Sequence, residues 1–221
     1  LPEKWSPELA HYLGWLVGDG CIAGDVVSTV YGSEEEQTQI LPMHQGIATW
    51  MNGDTVPKPS VQTNRTIQMR QSRRVIARFF EALGVSRKRA AEKLIPETIY
   101  QAPSEIVASF LSGLFDADGC VYDGANSRYV GLGSASQELL VGAQRLLATF
   151  GVFSRIYRTR GPARSFQYER KDGTTVDYLT KQQYDLRISN RSIERFALEV
   201  GFRLATKQAK LDRLVASHRL N

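Results

Sequence analysis

Two acidic residues, Asp19 and Asp118, stand in matching contexts. YLGWLVGDGCI, within His11–Val26, and FLSGLFDADGCV, within Ser109–Tyr122, both carry Asp-Gly-Cys near their ends at an offset of 99 residues. A lone Asp-Gly reads as a turn. Here each Asp ends a stretch with helical start signals, Ser6-Pro7-Glu8 in one and Pro103-Ser104-Glu105 in the other. A carboxylate in the last turn of a helix faces unpaired carbonyls and a partial negative charge, which costs several tenths of a kcal/mol, on the order of 0.5. Two such carboxylates become favourable when divalent cations bind between them and the neighbouring carbonyls. Mg²⁺ suits that arrangement, because it accepts a few protein oxygens and keeps other positions for water and phosphate. The chemistry would be metal-assisted attack of water on a phosphodiester.

Bringing the acids together requires the two helices to touch. Gly14 and Gly18 are four apart, as are Gly113 and Ala117. Small residues at that spacing let two helix backbones approach, although each glycine costs about 1 kcal/mol of helix propensity. The helices are therefore expected to pair at a pseudo-two-fold axis, each ending on a C′ glycine, Gly20 or Gly119. A second internal match joins Met69–Val85 to Leu186–Phe202 at an offset of 117, with seven of 17 positions identical. The growth in offset places an insertion in copy two, near 158–182. The coarse order is αββαββα, twice: residues 1–100 form one repeat and 101–221 the other. Strands are expected around Val26–Tyr31, Arg128–Leu132, Thr66–Gln71 and Gln183–Ile188. Helices are expected from Ser33 and Ser134 and at Arg73–Leu83 and Arg191–Val200. The fold class is α+β, with antiparallel sheets and the motif helices packed at the centre.

The chain has 221 residues, a net charge of +5 and 42% hydrophobic residues. Two cysteines without CxxC spacing and three histidines argue against a disulfide framework, a zinc site or a histidine-rich metal centre. With neither a bilayer-spanning apolar run nor a signal pattern, the chain reads as intracellular, in cytoplasm, nucleoid or organelle, and not secreted. Opening on Leu1 and not Met, it reads as processed, trimmed or cut from a longer polypeptide. Charge is segregated. Residues 1–57 hold one basic side chain against eight acidic, 58–93 ten against two, and 151–213 fourteen against seven. Two basic blocks fit either solvated faces or a nucleic-acid partner, and a two-fold pseudosymmetric chain suits a near-palindromic duplex.

The strands supply candidates for reading bases. Thr66, Gln68 and Arg70 alternate with Ile67 and Met69. Asp185 and Arg187 alternate with Tyr184, Leu186 and Ile188. This is the period-two pattern of a sheet with one wet face, on which arginine and glutamine can pair with guanine and adenine edges. Arg65, Arg155, Arg158, Arg160 and Lys181 are further candidates for phosphate or base contacts, with Arg164 and Arg170 nearby. Glu34-Glu35-Glu36 reads as a match to the dipole of the helix it opens. Cys21 and Cys120 read as semi-buried, and Trp5, Trp15 and Trp50 as packing residues.

The run Leu111-Ser112-Gly113-Leu114-Phe115-Asp116-Ala117-Asp118-Gly119 resembles the signature of the LAGLIDADG homing endonucleases. Tyr12-Leu13-Gly14-Trp15-Leu16-Val17-Gly18-Asp19-Gly20 is a looser copy with Val17 at the sixth position. The likeness covers essentially the whole chain in the monomeric double-motif form, and EKLIPETIY before the second motif is similar to endonucleases embedded in inteins. No splicing module is visible, since Leu1 is neither Cys nor Ser and the penultimate residue is Leu220 and not His. The resemblance implies a saddle with β-sheets in the major groove of a long DNA target. It implies Mg²⁺-dependent cleavage of both strands leaving short 3′ overhangs, with Mn²⁺ substituting and Ca²⁺ supporting binding without efficient cleavage. It assigns metal binding to Asp19 and Asp118 with the carbonyls of Gly18 and Ala117, and a basic residue to each catalytic centre. Extending the repeat match at constant offset gives Lys88 opposite Ala205, so Lys88 is the candidate in copy one and Lys207 the substitute in copy two. The alternatives are a non-cleaving nucleic-acid-binding protein on the same fold, such as an RNA maturase or regulator, and an unrelated metal-dependent phosphoryl-transfer enzyme.

Overall fold

The computed structural model describes residues 1–87, 90–159, 165–169, 175–179 and 182–219. The first repeat runs α1 (Pro7–Asp19), β1 (Gly20–Ala23), β2 (Val26–Tyr31), α2 (Leu41–Met51), β3 (Ser60–Val61), β4 (Ile67–Gln71) and α3 (Arg74–Ala82). The second runs α4 (Ser104–Asp118), β5 (Gly119–Gly124), β6 (Ser127–Ser134), α5 (Gln137–Thr149), β7 (Ser154–Arg158), β8 (Ser165–Glu169), β9 (Thr175–Leu179), β10 (Tyr184–Ile188), α6 (Arg191–Glu199) and α7 (Ala205–Arg219). Two four-stranded antiparallel sheets result, ordered β1-β2-β4-β3 and β5-β6-β10-β7, so each repeat builds the same sheet. The β8–β9 hairpin is a separate two-stranded sheet within the expected insertion. Both this hairpin and α7 go beyond the αββαββα reading.

α1 and α4 pack against each other along their length, and the glycines explain how. A Cβ on Gly14 would lie 2.1 Å from the Phe110 carbonyl oxygen, and one on Gly113 would lie 2.1 Å from that of His11. A Cβ on Gly18 would meet the Cβ of Ala117 at 2.7 Å. The backbones are in direct contact, as the small-residue spacing requires. Around them Leu13, Trp15, Leu16, Phe110, Leu111, Leu114 and Phe115 are fully buried, in one apolar cluster that includes the inner faces of both sheets.

Several local expectations are corrected. Gly20 and Gly119 are not left-handed caps: their φ values are −136° and −88°. Each turns the chain from helix straight into strand, where a Cβ would press on the carbonyl oxygen four residues back, at 2.7 Å from Leu16 and 2.4 Å from Phe115. Cys21 and Cys120 are exposed, because their strand positions face outward. Trp50 is also largely exposed, whereas Trp15 is buried and donates from its indole nitrogen to the Val30 carbonyl at 3.0 Å.

Candidate active site

Because β1 and β5 start one residue after the acids, α1 and α4 deliver Asp19 and Asp118 to the junction of the two sheets. Asp118 reaches across the interface, since a Cβ on Gly18 would lie 3.1 Å from its Oδ2. Both carboxylates are open to water yet ringed by protein. Desolvation raises the pKa of Asp118, and the charge of Asp19 adds to it, bringing the group to about 6. Asp19 is raised as well, by desolvation and then by Glu36. Burial, more than neighbouring charge, thus disfavours the ionised form of both acids, while Lys93 and Lys207 oppose it.

Lysines occupy the ends of both helices. Lys207 Nζ, on the first turn of α7, donates to the carbonyls of Asp116 at 2.5 Å and Phe115 at 3.2 Å. Lys93 Nζ donates to Gly18 at 2.6 Å, Val17 at 2.7 Å and Gly20 at 3.2 Å. Burial lowers both lysine pKa values, against the pull of nearby carboxylates: Asp118 and Asp19 for Lys93, Asp116 and Glu36 first for Lys207. Lys88 lies outside the described residues, and Lys93 stands where a basic residue was sought. The constant-offset extension missed it because nine residues separate Gly84 from Lys93 but only six separate Gly201 from Lys207. The usable signal was its place immediately before Leu94-Ile95-Pro96.

The outer faces of the sheets carry the polar candidates in matching rows. Cys21, Ser28 and Arg70 lie across sheet one, and Cys120, Gly131, Arg187 and Arg155 across sheet two. Arg70 is exposed, with Met69 buried behind it, while Gln68 donates to Ser28 Oγ at 2.7 Å. Arg187 is held on three sides. Its Nε bonds Asp185 Oδ2 at 2.6 Å, and its guanidinium lies 4.4 Å from the Tyr129 ring centre and 5.0 Å from that of Tyr157. Arg155 is exposed, and Arg158 donates to Gln182 Oε1 at 2.8 Å. Arg65 sits at φ 66° in the turn before β4. Arg160, Arg164, Arg170 and Lys181 lie outside the described residues.

A buried polar chain beneath the site was not anticipated. Thr29 Oγ1, Tyr31 OH, His44, His11 and Asp116 Oδ2 follow one another at 3.1, 3.0, 2.9 and 2.9 Å. Burial lowers the pKa of both imidazoles, well below the ordinary value for His44. With both neutral, every proton points one way: Thr29 donates to Tyr31, Tyr31 to His44, His44 to His11 and His11 to the carboxylate. The signal was two histidines inside apolar helical stretches, where a polar side chain needs a partner.

A metal at this site would rest on few protein atoms. Among the described residues no three or more His, Cys, Asp or Glu side chains converge. Two carboxylates of raised pKa, open to water beside helix-end carbonyls, nevertheless fit a hard divalent cation that keeps positions for water and phosphate.

Paired motif helices, with two equivalent sheets attached at their acidic ends, define a double-motif LAGLIDADG architecture. Residues 105–201 match the LAGLIDADG-like domain. Its fold is similar to that of I-DmoI in complex with DNA and Ca, with a TM-score of 0.62 at 18% identity over 94% of this chain and 97% of that one. Full-length DUF199/WhiA from Thermatoga maritima matches with a TM-score of 0.58 at 15% identity, over 98% of this chain and 62% of that one. By sequence the chain is 26% identical over 220 residues to a probable translation initiation factor IF-2 of Methanocaldococcus jannaschii, covering 98% of this chain and 17% of that protein. It is 28% identical over 185 residues to the tRNA-splicing ligase RtcB of Pyrococcus abyssi, covering 72% of this chain and 20% of that protein. The chain spans at most a fifth of these two relatives. No described helix is long and apolar enough to cross a membrane.

Proposed function

We propose that the chain is a site-specific DNA endonuclease that hydrolyses both strands of a long duplex target with Mg²⁺, leaving short 3′ overhangs. The observation that carries this reading is the convergence of Asp19 and Asp118 at paired helix ends, each beside a buried-stem lysine and the root of a polar sheet. Bound there, a divalent cation would supply Lewis acidity, activating water and stabilising the leaving oxygen. The chain's own residues do the rest. Asp19 and Asp118 hold the cation, with the Gly18 and Ala117 carbonyls at hand. Lys93 and Lys207 place positive charge beside the scissile phosphates, where charge builds in the transition state. Arg187, fixed through its Nε, leaves two terminal nitrogens free for a guanine edge, and Arg70 takes the equivalent place on the other sheet. Arg65, Arg155 and Arg158 supply phosphate contacts at the rims. Mn²⁺ would replace Mg²⁺, and Ca²⁺ would support binding without efficient cleavage.

Relatives named for unrelated activities share a segment of roughly this size, which supports a module carried within host proteins, as in inteins and other mobile elements. A non-cleaving nucleic-acid-binding protein is favoured by one observation: the lysines already neutralise the helix-end carbonyls without a cation. Cleavage of a randomised duplex library with Mg²⁺ separates the two. The unmodified chain should yield double-strand cuts, and Asp19→Asn or Asp118→Asn should abolish most of them while Ca²⁺-supported binding persists. Binding without any cuts across a well-sampled library overturns the nuclease reading.

A further inference from the structure

We propose that each catalytic-site lysine is positioned by the opposite repeat: Lys207 by Glu35 and Gln39 of repeat one, and Lys93 by Ser136 of repeat two. The geometry at Lys207 starts from a general requirement. The first N–H groups of a helix have no partner within it, and a helix end is fixed in place by whatever accepts from them. At the start of α7 those acceptors come from elsewhere. The amides of Arg203 and Leu204 donate to Asp116 at 2.9 and 3.2 Å. The Ala205 amide donates to Gln39 Oε1 at 3.2 Å, and the Thr206 amide to Glu35 Oε1 at 2.7 Å, with the Thr206 hydroxyl on Glu35 Oε2. Lys207 is the next residue. Desolvation works against the charge of Glu35, but the Thr206 and Ala205 bonds outweigh it and keep its pKa low.

Glu35 and Gln39 are four residues apart and so share one face, on a segment whose backbone is irregular. The segment Glu36–Ile40, between β2 and α2, is a π-helical turn, a feature that marks functional sites more often than chance. Ser33 caps its start, accepting from the Glu36 amide at 3.2 Å. Glu35 therefore serves the dipole of a helix in the other repeat and not that of its own.

Lys93 lies between a 3₁₀ turn and Pro96, with no helix to hold it. Its carbonyl accepts from Ser136 Oγ at 2.7 Å, and that same oxygen caps α5 by accepting from the Leu139 amide at 3.1 Å. Ser136 opens the helix that follows the second strand of repeat two, as Ser33 does in repeat one. The segment after the second strand of each repeat thus anchors the lysine of the other, through Glu35 and Gln39 in repeat one and Ser136 in repeat two, so the two centres are coupled crosswise. Glu35, Gln39 and Ser136 are positioning residues, since none is argued to touch DNA.

The proposal rests on the nuclease reading for one of its two tests and not for the other. In the isotope-labelled, metal-free full chain, NMR reports the side-chain ammonium signals of Lys93 and Lys207. Glu35→Ala and Gln39→Ala should displace the Lys207 signal and leave Lys93 in place. Ser136→Asp keeps a cap for α5 but removes the donor to Lys93, and should do the reverse, while Ser136→Thr keeps both bonds and both signals. Lysine signals that ignore these changes, or that both move with either variant, overturn the proposal. The second test uses a duplex recovered from the cleavage library, with each strand labelled separately. At temperatures where all variants remain folded, Glu35→Ala should slow one strand by about tenfold or more and Ser136→Asp the other. Equal slowing of both strands refutes crosswise positioning. If no duplex is ever cut, the nuclease reading falls and the NMR result alone decides.

Discussion

Replacing Gly113 and Gly46 with alanine makes one chemical change with two opposite expected outcomes. In both helices alanine adds about 1 kcal/mol of helix propensity over glycine. Gly46 lies in α2 with nothing within 4 Å of a built Cβ, so Gly46→Ala should keep the whole gain. Gly113 faces the His11 backbone, where a Cβ would meet the carbonyl oxygen at 2.1 Å, its carbon at 2.8 Å and its Cα at 2.9 Å. An ordinary contact needs about 3.5 Å, and helix backbone cannot rotate aside, so α1 and α4 must part by about an ångström. Overpacking alone costs about 1–3 kcal/mol and occasionally more. Here it also loosens the dispersion contacts of the longest helix pair, so a net loss of about 2 kcal/mol or more is expected. For a chain of this size each kcal/mol moves the melting temperature by about 2–4 °C. Thermal unfolding followed by circular dichroism should therefore fall by about 4–8 °C for Gly113→Ala and rise by about 2–4 °C for Gly46→Ala. Cleavage should suffer more than stability, because parting the helices separates Asp19 from Asp118, and misplacement by about 1 Å can cost about a hundredfold. A Gly113→Ala protein as stable as the unmodified chain would refute backbone contact at the helix crossing.

Further outcomes follow from charge. The Asp118 carboxyl is raised to about 6 in the fold against 3.8 outside it, so its contribution to stability is full below that lower value and is lost as pH rises through about 6. Asp118→Asn should accordingly stabilise the metal-free chain against urea near neutral pH and not near pH 4, and added Mg²⁺ should narrow the difference; equal effects at both pH values contradict a carboxyl raised by burial and by Asp19. Divalent-cation binding, measured by calorimetry, should weaken as pH falls through about 6, because the carboxyl must lose its proton to bind. Arg187→Lys keeps the charge but loses the fork and the stacking between Tyr129 and Tyr157. Selection from a duplex library should show relaxed preference at one position with little change in salt dependence, whereas a uniform loss of affinity would make Arg187 a phosphate contact.

Legibility in the sequence followed the range of the interactions. Paired helices, repeated sheets and the two acids were readable because a short motif, repeated, exposes its own constraints: glycine four residues before glycine or alanine, and an acid ahead of glycine. Met69 inside and Arg70 outside were readable from strand alternation. The missed features depend on partners distant in sequence. Lys93 was hidden by a length difference between two loops that a constant offset cannot represent. Glu35 and Gln39 serve α7, about 170 residues away, and no local pattern connects a glutamate run to a helix elsewhere in the chain. Helix α7 itself has no counterpart in the first repeat, so the internal match gave no template for it.

The sixth motif position shows why the two copies differ. Repeat two places its lysine on a helix, whose free amides need acceptors; repeat one places Lys93 outside regular helix, where no such amides arise. Asp116 answers the first need and Val17 is sufficient for the second. The Asp116 carboxylate, fully buried, accepts from His11 Nε2 and from the amides of Arg203 and Leu204. Replacing it with valine, the residue of the other copy, would strand two buried donors and one part-buried one, each buried donor costing about 1–3 kcal/mol and not additively. Asp116→Val should therefore destabilise the chain by about 3 kcal/mol or more in urea unfolding. Asp116→Asn keeps one oxygen acceptor and should cost markedly less. Were Asp116→Val neutral to stability, the acid would have to be explained by chemistry at the metal pair and not by the helix end it caps.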